Sequence, residues 1–288
     1  MKLATVEIGG GLRVAVVEEG RPVRLLPETA GSLLDIIERG ASLAELMKGA
    51  TAVWGAAKLV APIGRPRRNV FCVGKNYHEH AHEFAKSGFD SSAASGAIPD
   101  APIVFSKVPE TVIGPDDAVE FDPSVSTAID YEGELAVIIG TTGRKISKAD
   151  ALKHVWGYTI VNDVTARDVQ GRLKQRLVGK SFDTFCPMGP WAVTADEIDL
   201  GNTTLKTWVN GELRQNANTR DLIFDVPTII ETISGGVTLR AGDIIATGTP
   251  VGVGIGFNPP KYLKNGDVVE IEVGGIGRLR NPVRTASA

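Results

Sequence analysis

Cysteine is scarce in this sequence, which has only Cys72 and Cys186 among 288 residues. Two isolated thiols provide neither a disulfide framework nor a CxxC zinc motif, so a reducing cytoplasm is the expected compartment. Long apolar runs are also missing, because the longest purely aliphatic stretch is Leu135 to Ile139, whereas a membrane helix needs about 20 residues. The N-terminal MKLATVEIGG lacks the pattern of a secretory signal. These absences predict a cytoplasmic protein without a membrane span.

An excess of charge of one sign is missing as well. Lys and Arg total 31 and Asp and Glu total 34, which leaves a formal net charge of -3. Without a basic field to attract phosphates, no nucleic-acid partner is expected. A content of 43% apolar and 23% charged residues excludes disordered and collagen-like chains. The sequence therefore predicts a globular protein with a sizeable core.

Two units are predicted along the chain. The first 60 or so residues predict two strands, near residues 4–8 and 12–18, followed by two short helices within residues 33–47 that are interrupted at Gly40. A stretch rich in proline and arginine follows at 61–68, which suits a connector. We therefore predict a small N-terminal α+β unit at residues 1–62 and a larger domain at residues 69–288.

The larger region shows no regular alternation of strands and helices. Asn210-Gly211 between two β-rich segments predicts a hairpin, and Ser147 predicts the N-cap of a helix. Turn residues before β-branched segments near the C-terminus predict further strands. A β-rich α+β fold of mixed or antiparallel sheets with short helices therefore fits better than a doubly wound fold.

Two glutamates stand close together in Asp130-Tyr-Glu-Gly-Glu134. Glu132 and Glu134 are two residues apart on a predicted strand, so their side chains project from one face. Like charges aimed at one place need a positive partner, and a divalent cation is the usual one. With Asp163, at the end of another strand, the all-carboxylate set favours Mg²⁺ or Mn²⁺. The alternative is an ordinary strand with one solvated face.

A histidine-rich segment, Tyr77-His-Glu-His-Ala-His-Glu83, is the second candidate for chemistry. On a helix, His80 and Glu83 share a face, so the carboxylate can orient the imidazole as a general base for water. His78 and His82, four residues apart, offer a competing zinc pair. A polar helix face without function is the third interpretation.

Three cations and a glutamine accompany the acids. Lys107 follows an apolar strand, Arg167 and Gln170 lie on the turn after Asp163, and Lys180 stands before Ser-Phe. Together they predict a site that binds an anionic substrate and stabilises developing negative charge. Taken singly, each of these residues is better explained as a surface residue.

The segment Gly248-Thr-Pro-Val-Gly-Val-Gly254 is rich in glycine. Neither GxGxxG nor GxxxxGK[ST] is present, and prolines rather than a helix follow, so a nucleotide-binding loop is not predicted. Two interpretations remain for this segment: a tight turn with backbone amides near a ligand, and a purely structural turn.

Six motifs occur in the order and approximate spacing of the fumarylacetoacetate hydrolase family, which the chain resembles from about residue 69 to residue 283. They are Val73-Gly-Lys-Asn-Tyr77 with His80 and Glu83, Asp130-Tyr-Glu-Gly-Glu134, Asn162-Asp-Val-Thr-Ala-Arg-Asp168, Gly179-Lys-Ser-Phe-Asp183, Val209-Asn-Gly-Glu212 and Thr247-Gly-Thr-Pro-Val-Gly-Val-Gly254. The resemblance implies a β-rich fold, often called a β-roll, that works as a homodimer in catabolism.

The resemblance also implies three groups of site residues: ligands of Mg²⁺ or Mn²⁺, catalytic residues and substrate contacts. These are, in turn, Glu132, Glu134 and Asp163; His80, Glu83 and Lys180; and Arg167, Gln170, Lys107 and Thr249. Within the catalytic group, His80 and Glu83 would activate water, and Lys180 would stabilise the intermediate.

The family resemblance leaves several reactions open, all of which use a metal-stabilised enolate of a 2-oxo acid. The leading hypothesis is hydrolysis of a C–C bond in an acylpyruvate or related β-diketo acid. The alternatives are decarboxylation or isomerisation of a 2-oxo diacid of the oxaloacetate or hydroxymuconate type, and a binding module without turnover. The loop at residues 83–102, poor in apolar side chains around 91–96, is predicted to close as a lid.

Overall fold

The computed structural model describes residues 1–53, 57–86 and 98–286. Within them, mixed β-sheets dominate and the helices are short, which confirms the β-rich α+β class. Most of the loop predicted to act as a lid, residues 87–97, lies outside the described residues. None of the described helices is long and apolar enough to cross a bilayer.

The described elements follow the sequence-based expectation closely in the N-terminal region and near the predicted hairpin. The helices are α1 Leu33–Glu38, α2 Leu43–Lys48, α3 His78–Lys86, α4 Arg167–Leu173, α5 Arg176–Lys180 and α6 Val226–Gly236. The strands are β1 Lys2–Ile8, β2 Gly11–Glu18, β3 Arg21–Leu25, β4 Thr51–Ala52, β5 Lys58–Val60, β6 Val70–Gly74, β7 Ile103–Lys107, β8 Val112–Ile113, β9 Val119–Phe121, β10 Ile129–Asp130, β11 Gly133–Ile139, β12 Val155–Asn162, β13 Thr165–Ala166, β14 Cys186–Thr194, β15 Thr204–Val209, β16 Glu212–Asn218, β17 Ile244–Ala246, β18 Val268–Val273 and β19 Gly277–Thr285.

The largest sheet runs in the order β4-β3-β2-β1-β14-β12-β11-β17-β6-β7 among the described residues. Its N-terminal strands join the rest of the molecule where β1 pairs antiparallel with β14, with Lys2 opposite Val193. The N-terminal residues therefore extend the sheet of the larger region, and the division at residue 62 stays a prediction.

A second sheet has the order β16-β15-β18-β19-β9 and contains the predicted hairpin. Strands β15 and β16 pair antiparallel across Asn210 and Gly211, whose φ angles are 52° and 79°. Two positive φ angles are what a type I′ turn requires, and Asn-Gly is the pair that adopts them most readily.

The prediction of a helix after Ser147 is wrong. The hydroxyl of Ser147 does accept a hydrogen bond from the backbone N–H of Asp150 at 3.3 Å, but only a 3₁₀ turn at Ala151–His154 follows. Strand β12 begins at Val155, so the capping interaction is formed where the chain has room for a single turn.

Strand β11 positions the candidate site. All seven of its residues are buried, as expected for a strand covered on both faces. It pairs with β12 on one side and with β17 on the other, and β17 pairs in parallel with β6. The beginning of β11 and the ends of β12, β17 and β6 consequently meet in one region of the sheet.

Candidate active site

The three predicted acidic ligands come together at this meeting point. Glu132 precedes β11, Glu134 is its second residue, and Asp163 directly follows β12. The backbone N–H of Asp163 donates to the carbonyl of Glu132 at 2.9 Å, so strand pairing holds the two residues side by side. One carboxylate oxygen from each of the three acids lies within 4.8 Å of the others, and all three side chains are buried.

The acids differ in their electrostatic surroundings. Burial, reinforced by the charges of Asp163 and Glu132, raises the pKa of Glu134 well above its ordinary value. Burial acts in the same direction on Glu132, but the positive charges of Lys180 and Arg167 outweigh it and lower the pKa of Glu132. Glu134 is therefore the acid for which the existing cations compensate least.

Two buried lysines donate hydrogen bonds to the acid cluster. The Lys180 ammonium donates to Glu132 Oε2 and Asp163 Oδ2, both at 2.8 Å. Lys107, which is fully buried, donates to Asp163 Oδ1 at 2.8 Å and to the carbonyls of Val164 and Lys180. Burial opposes the charge of Lys180, but Asp163 and Glu132 outweigh this and raise its pKa. The geometry ties Lys107 to Asp163.

Arg167 joins the cluster to an acid that the sequence analysis did not select. Its Nε donates to Asp130 Oδ2 at 2.8 Å, and its Nη1 lies 2.7 Å from Glu132 Oε1. Nη1 also donates to Gln170 Oε1 at 3.3 Å. The guanidinium is 1% exposed, so it neutralises two buried carboxylates, and Asp130 fixes its orientation.

The glycine-rich turn after β17 supplies backbone amides to three different carboxylates. Gly248 donates to Glu134 Oε2 at 2.8 Å, Gly252 to Glu83 Oε1 at 3.1 Å and Gly254 to Asp130 Oδ1 at 2.6 Å. From the sequence, this segment is either a turn with backbone amides near a ligand or a purely structural turn. In the described residues they hold the acids of the site itself, as amide N–H groups commonly do for buried carboxylates.

The predicted histidine and glutamate pair forms on α3. His80 Nδ1 and Glu83 Oε2 are 3.0 Å apart, and both side chains are largely buried. His78 and His82 are exposed, and the only group of three or more potential metal ligands found among the described residues is the acid cluster. The pair that can orient an imidazole is therefore His80 with Glu83.

Gly256 offers a test of how tightly Glu83 is held. A methyl group added at this glycine would overlap the carboxylate of Glu83. The family resemblance implies that His80 and Glu83 act in catalysis, so we expect Gly256→Ala to displace Glu83 from His80 and to lower kcat by about 10- to 100-fold, the size of effect that small displacements of catalytic groups have. Steady-state kinetics on the purified wild type and variant measure this change in kcat.

Gly235→Ala is the matched control, because a methyl group on Gly235 in α6 meets nothing within 4 Å. It should leave kcat unchanged. Equal kinetics for the two variants would mean that the contact between Gly256 and Glu83 does not position the histidine.

The donor set fits a hard divalent cation. Three buried carboxylates contribute oxygen atoms from within 4.8 Å of one another, and Cys and His, the ligands that structural zinc prefers, are absent from this cluster of described residues. Burial and the charges of Asp163 and Glu132 raise the pKa of Glu134, and a cation bound between the three acids would oppose both effects. Glu132, Glu134 and Asp163 would therefore hold Mg²⁺ or Mn²⁺.

A small cavity of about 20 Å³ opens beside the acid cluster, enough for about one water molecule. Its lining includes the predicted residues His80, Glu132, Arg167, Gln170, Lys180 and Thr249. Thr249 is fixed there, because its hydroxyl donates to the carbonyl of Gly133 at 3.0 Å and accepts from Gln215 at 2.8 Å.

Two further cations line the cavity and were missed by the sequence analysis, Lys75 and Arg176. Lys75 is buried and has a positive φ of 55°, an uncommon conformation for a lysine that is frequent at functional sites. It stands inside the first family motif. Arg176 precedes Lys180 by four residues on α5, and this spacing was the signal that would have found it.

Comparison with known proteins places these features in context. Residues 69–284 match the family model described as fumarylacetoacetate (FAA) hydrolase, C-terminal. Over 98% of its length, the chain is 44% identical to the whole of the oxaloacetate tautomerase YisK of Bacillus subtilis (strain 168). The similarity thus includes the N-terminal residues that precede the family model.

Solved structures show the same similarity. The fumarylacetoacetate hydrolase of Exiguobacterium antarcticum has a TM-score of 0.87 and 43% identity, covering 99% of this chain and 100% of that one. The maleylpyruvate hydrolase of Sphingobium sp. SYK-6, solved with manganese(II) and pyruvate, has a TM-score of 0.77 and 31% identity with full coverage of both chains. The relatives are enzymes that act on different but related substrates.

Proposed function

Since this chain belongs to the fumarylacetoacetate hydrolase family and is an enzyme, we propose that it is a divalent-metal-dependent tautomerase of oxaloacetate or a similar 2-oxo diacid. The observation that carries the proposal is the buried triad of Glu132, Glu134 and Asp163, adjoining a cavity that His80 also lines. The identity to an oxaloacetate tautomerase over nearly the whole chain supports this reaction.

The proposed metal site consists of Glu132, Glu134 and Asp163. When bound, Mg²⁺ or Mn²⁺ would supply a Lewis acid that stabilises negative charge developing on the oxygen atoms of a 2-oxo acid. The protein contributes the fixed positions of the carboxylates: Gly248 holds Glu134, and Lys180 spans Glu132 and Asp163.

Keto–enol interconversion moves one proton between the C2 oxygen and C3, so protons are neither gained nor lost overall. We assign this transfer to Nε2 of His80, because Nδ1 faces Glu83 Oε2 at 3.0 Å. Glu83 keeps the ring in one orientation and is itself held by the amide of Gly252. An oriented imidazole that can both accept and return a proton is suited to this reaction at neutral pH.

The remaining predicted residues divide into two groups in this proposal. Lys180, Gln170 and Thr249 line the cavity and would contact the substrate. Arg167 lines the cavity too, but its bonds to Asp130 and Glu132 give it a structural task as well. Lys107 is enclosed by Asp163 and two carbonyls, so we assign it to positioning Asp163 rather than to the substrate.

Hydrolysis of acylpyruvates, the leading hypothesis from the sequence, is kept as a second candidate. The His80–Glu83 pair could direct water as well as a proton, and the maleylpyruvate hydrolase of Sphingobium shares the fold at 31% identity. A binding module without turnover receives no support, because the named relatives are enzymes. The homodimer implied by the family resemblance stays a prediction.

The test is to add the enol form of oxaloacetate from an aprotic stock to the purified protein with Mg²⁺ or Mn²⁺ and to follow the ultraviolet absorbance of the enol. We expect its loss to be faster than with metal alone, and chelation of the metal should abolish the acceleration. No acceleration, combined with pyruvate release from an acylpyruvate, would replace the tautomerase by the hydrolase.

A further inference from the structure

Arg176 lies beside Lys180, the lysine proposed to contact the substrate. It stands four residues before Lys180 on α5, which places the two side chains on the same helix face. Both contact one aromatic ring: the Arg176 guanidinium carbon is 5.2 Å and the Lys180 ammonium 5.1 Å from the centroid of Phe105. The guanidinium therefore adjoins the reaction site.

The end of β6 fixes the other side of this guanidinium. A methyl group added at Gly74 would overlap Nη1 of Arg176, so the guanidinium packs directly on the backbone there. Arg176 is half-buried and lines the same cavity as Lys180 and Gln170. A guanidinium held between a ring and a backbone segment presents its N–H groups in a defined direction.

The charge balance of the site suggests why a further cation is needed there. Three of its four buried acids, Asp130, Glu132 and Asp163, form ion pairs with three buried cations. The cations are Lys107, Arg167 and Lys180, and the fourth acid is Glu134. A divalent metal would make this cluster net positive, which suits the carboxylate and oxo oxygen at one end of a 2-oxo acid. A diacid has a second carboxylate, which also needs a positive partner when it leaves water.

We propose that Arg176 binds the carboxylate of the substrate that is remote from the 2-oxo group, and that it makes the site selective for 2-oxo dicarboxylates. The proposal rests on the proposed function and deepens it. Arginine is the side chain best suited to this task, because its planar N–H groups bind a carboxylate in bidentate fashion. Lys75, the other additional cation of the cavity, offers a point charge without this geometry.

Selectivity is tested with two matched substrates, oxaloacetate and its 4-ethyl ester, which lacks the remote negative charge. We expect Arg176→Gln to lower kcat/KM for oxaloacetate at least about 10-fold, the size of a lost charged hydrogen bond, and to leave kcat/KM for the ester within about twofold. For Arg176→Lys, kcat/KM for oxaloacetate should lie between the values of wild type and Arg176→Gln. Arg172→Gln, which removes an exposed charge from the neighbouring α4, controls for the general electrostatic field.

Binding without turnover separates this proposal from the function on which it rests. 3,3-Difluorooxaloacetate has no C3 proton and cannot enolise, and calorimetry with Mn²⁺ gives its affinity for each variant. We expect at least about 10-fold weaker binding to Arg176→Gln and unchanged binding to Arg172→Gln.

Equal affinity of wild type and Arg176→Gln for the difluoro compound would overturn the proposal, and so would an equal loss of kcat/KM for oxaloacetate and the ester. A larger selective loss in Lys75→Gln than in Arg176→Gln would assign the remote carboxylate to Lys75 instead. If wild-type protein binds the difluoro compound through Arg176 but does not tautomerise oxaloacetate, the proposed function fails and the carboxylate site stands.

Discussion

Replacing Glu134 by Gln is expected to raise the dissociation constant for Mn²⁺ at least about 100-fold, since even residues that only support metal ligands alter affinity by 10- to 100-fold. The amide keeps the shape of the side chain and can still accept the hydrogen bond from Gly248. It loses the negative charge that, with Glu132 and Asp163, would attract the cation. Calorimetric titration with Mn²⁺ measures this effect independently of activity.

The same variant should not be less stable than wild type when metal is absent. Burial and the charges of Asp163 and Glu132 oppose the ionised form of Glu134, so its removal relieves repulsion in the folded state. We expect the melting temperature without metal to be equal or higher, and the stabilisation by added Mn²⁺ to disappear. Functional sites often sacrifice stability in this way.

Glu120→Gln is the matched control, because Glu120 is exposed on β9 and should affect neither measurement. Wild-type Mn²⁺ affinity in Glu134→Gln would remove Glu134 from the proposed ligand set. A lower melting temperature without metal would show that Glu134 has a stabilising partner that outweighs the repulsion.

Replacing His80 by Gln is expected to lower kcat by about 100- to 10,000-fold, the range typical of a lost general acid–base group. Gln is polar and of similar size, so the buried position on α3 remains filled. The Mn²⁺ affinity should change far less than in Glu134→Gln, because His80 is not part of the acid cluster. Kinetics with oxaloacetate and calorimetry with Mn²⁺ measure the two effects separately.

His82→Gln serves as the control for this variant. His82 is exposed on the same helix, two residues further on, and its replacement should leave both measurements unchanged. A loss of activity in His82→Gln with retention in His80→Gln would transfer the catalytic role to the neighbouring histidine.

Much of the site was predictable from the sequence, because its parts follow local periodicities. The two-residue repeat of a strand predicted Glu132 and Glu134 on one face, although β11 begins only at Gly133, and the helical repeat brings His80 to Glu83. The structure brings both pairs together. The Asn210-Gly211 turn is local in the same sense, since its φ angles depend on the two residues that adopt them.

Local sequence patterns are insufficient where the length available to a segment, or a residue distant in sequence, determines the structure. Ser147 has the side chain of a helix cap and makes the capping contact to Asp150, yet the start of β12 limits the segment to one turn. The family resemblance implies a substrate contact for Arg167, and the structure adds an ion pair of Arg167 with Asp130. Neither outcome is encoded within a few neighbouring residues.

The sequence by itself therefore determined the β-rich class, the family and the chemical groups available to the site. Tertiary structure decided how these groups compensate one another: strand pairing sets Asp163 beside Glu132, Lys107 reaches Asp163 across 56 residues of sequence, and Arg176 is turned toward the cavity. The physical reason is that backbone geometry fixes periodicity within one element. The partner of a buried charge depends instead on which elements pack together and exclude water.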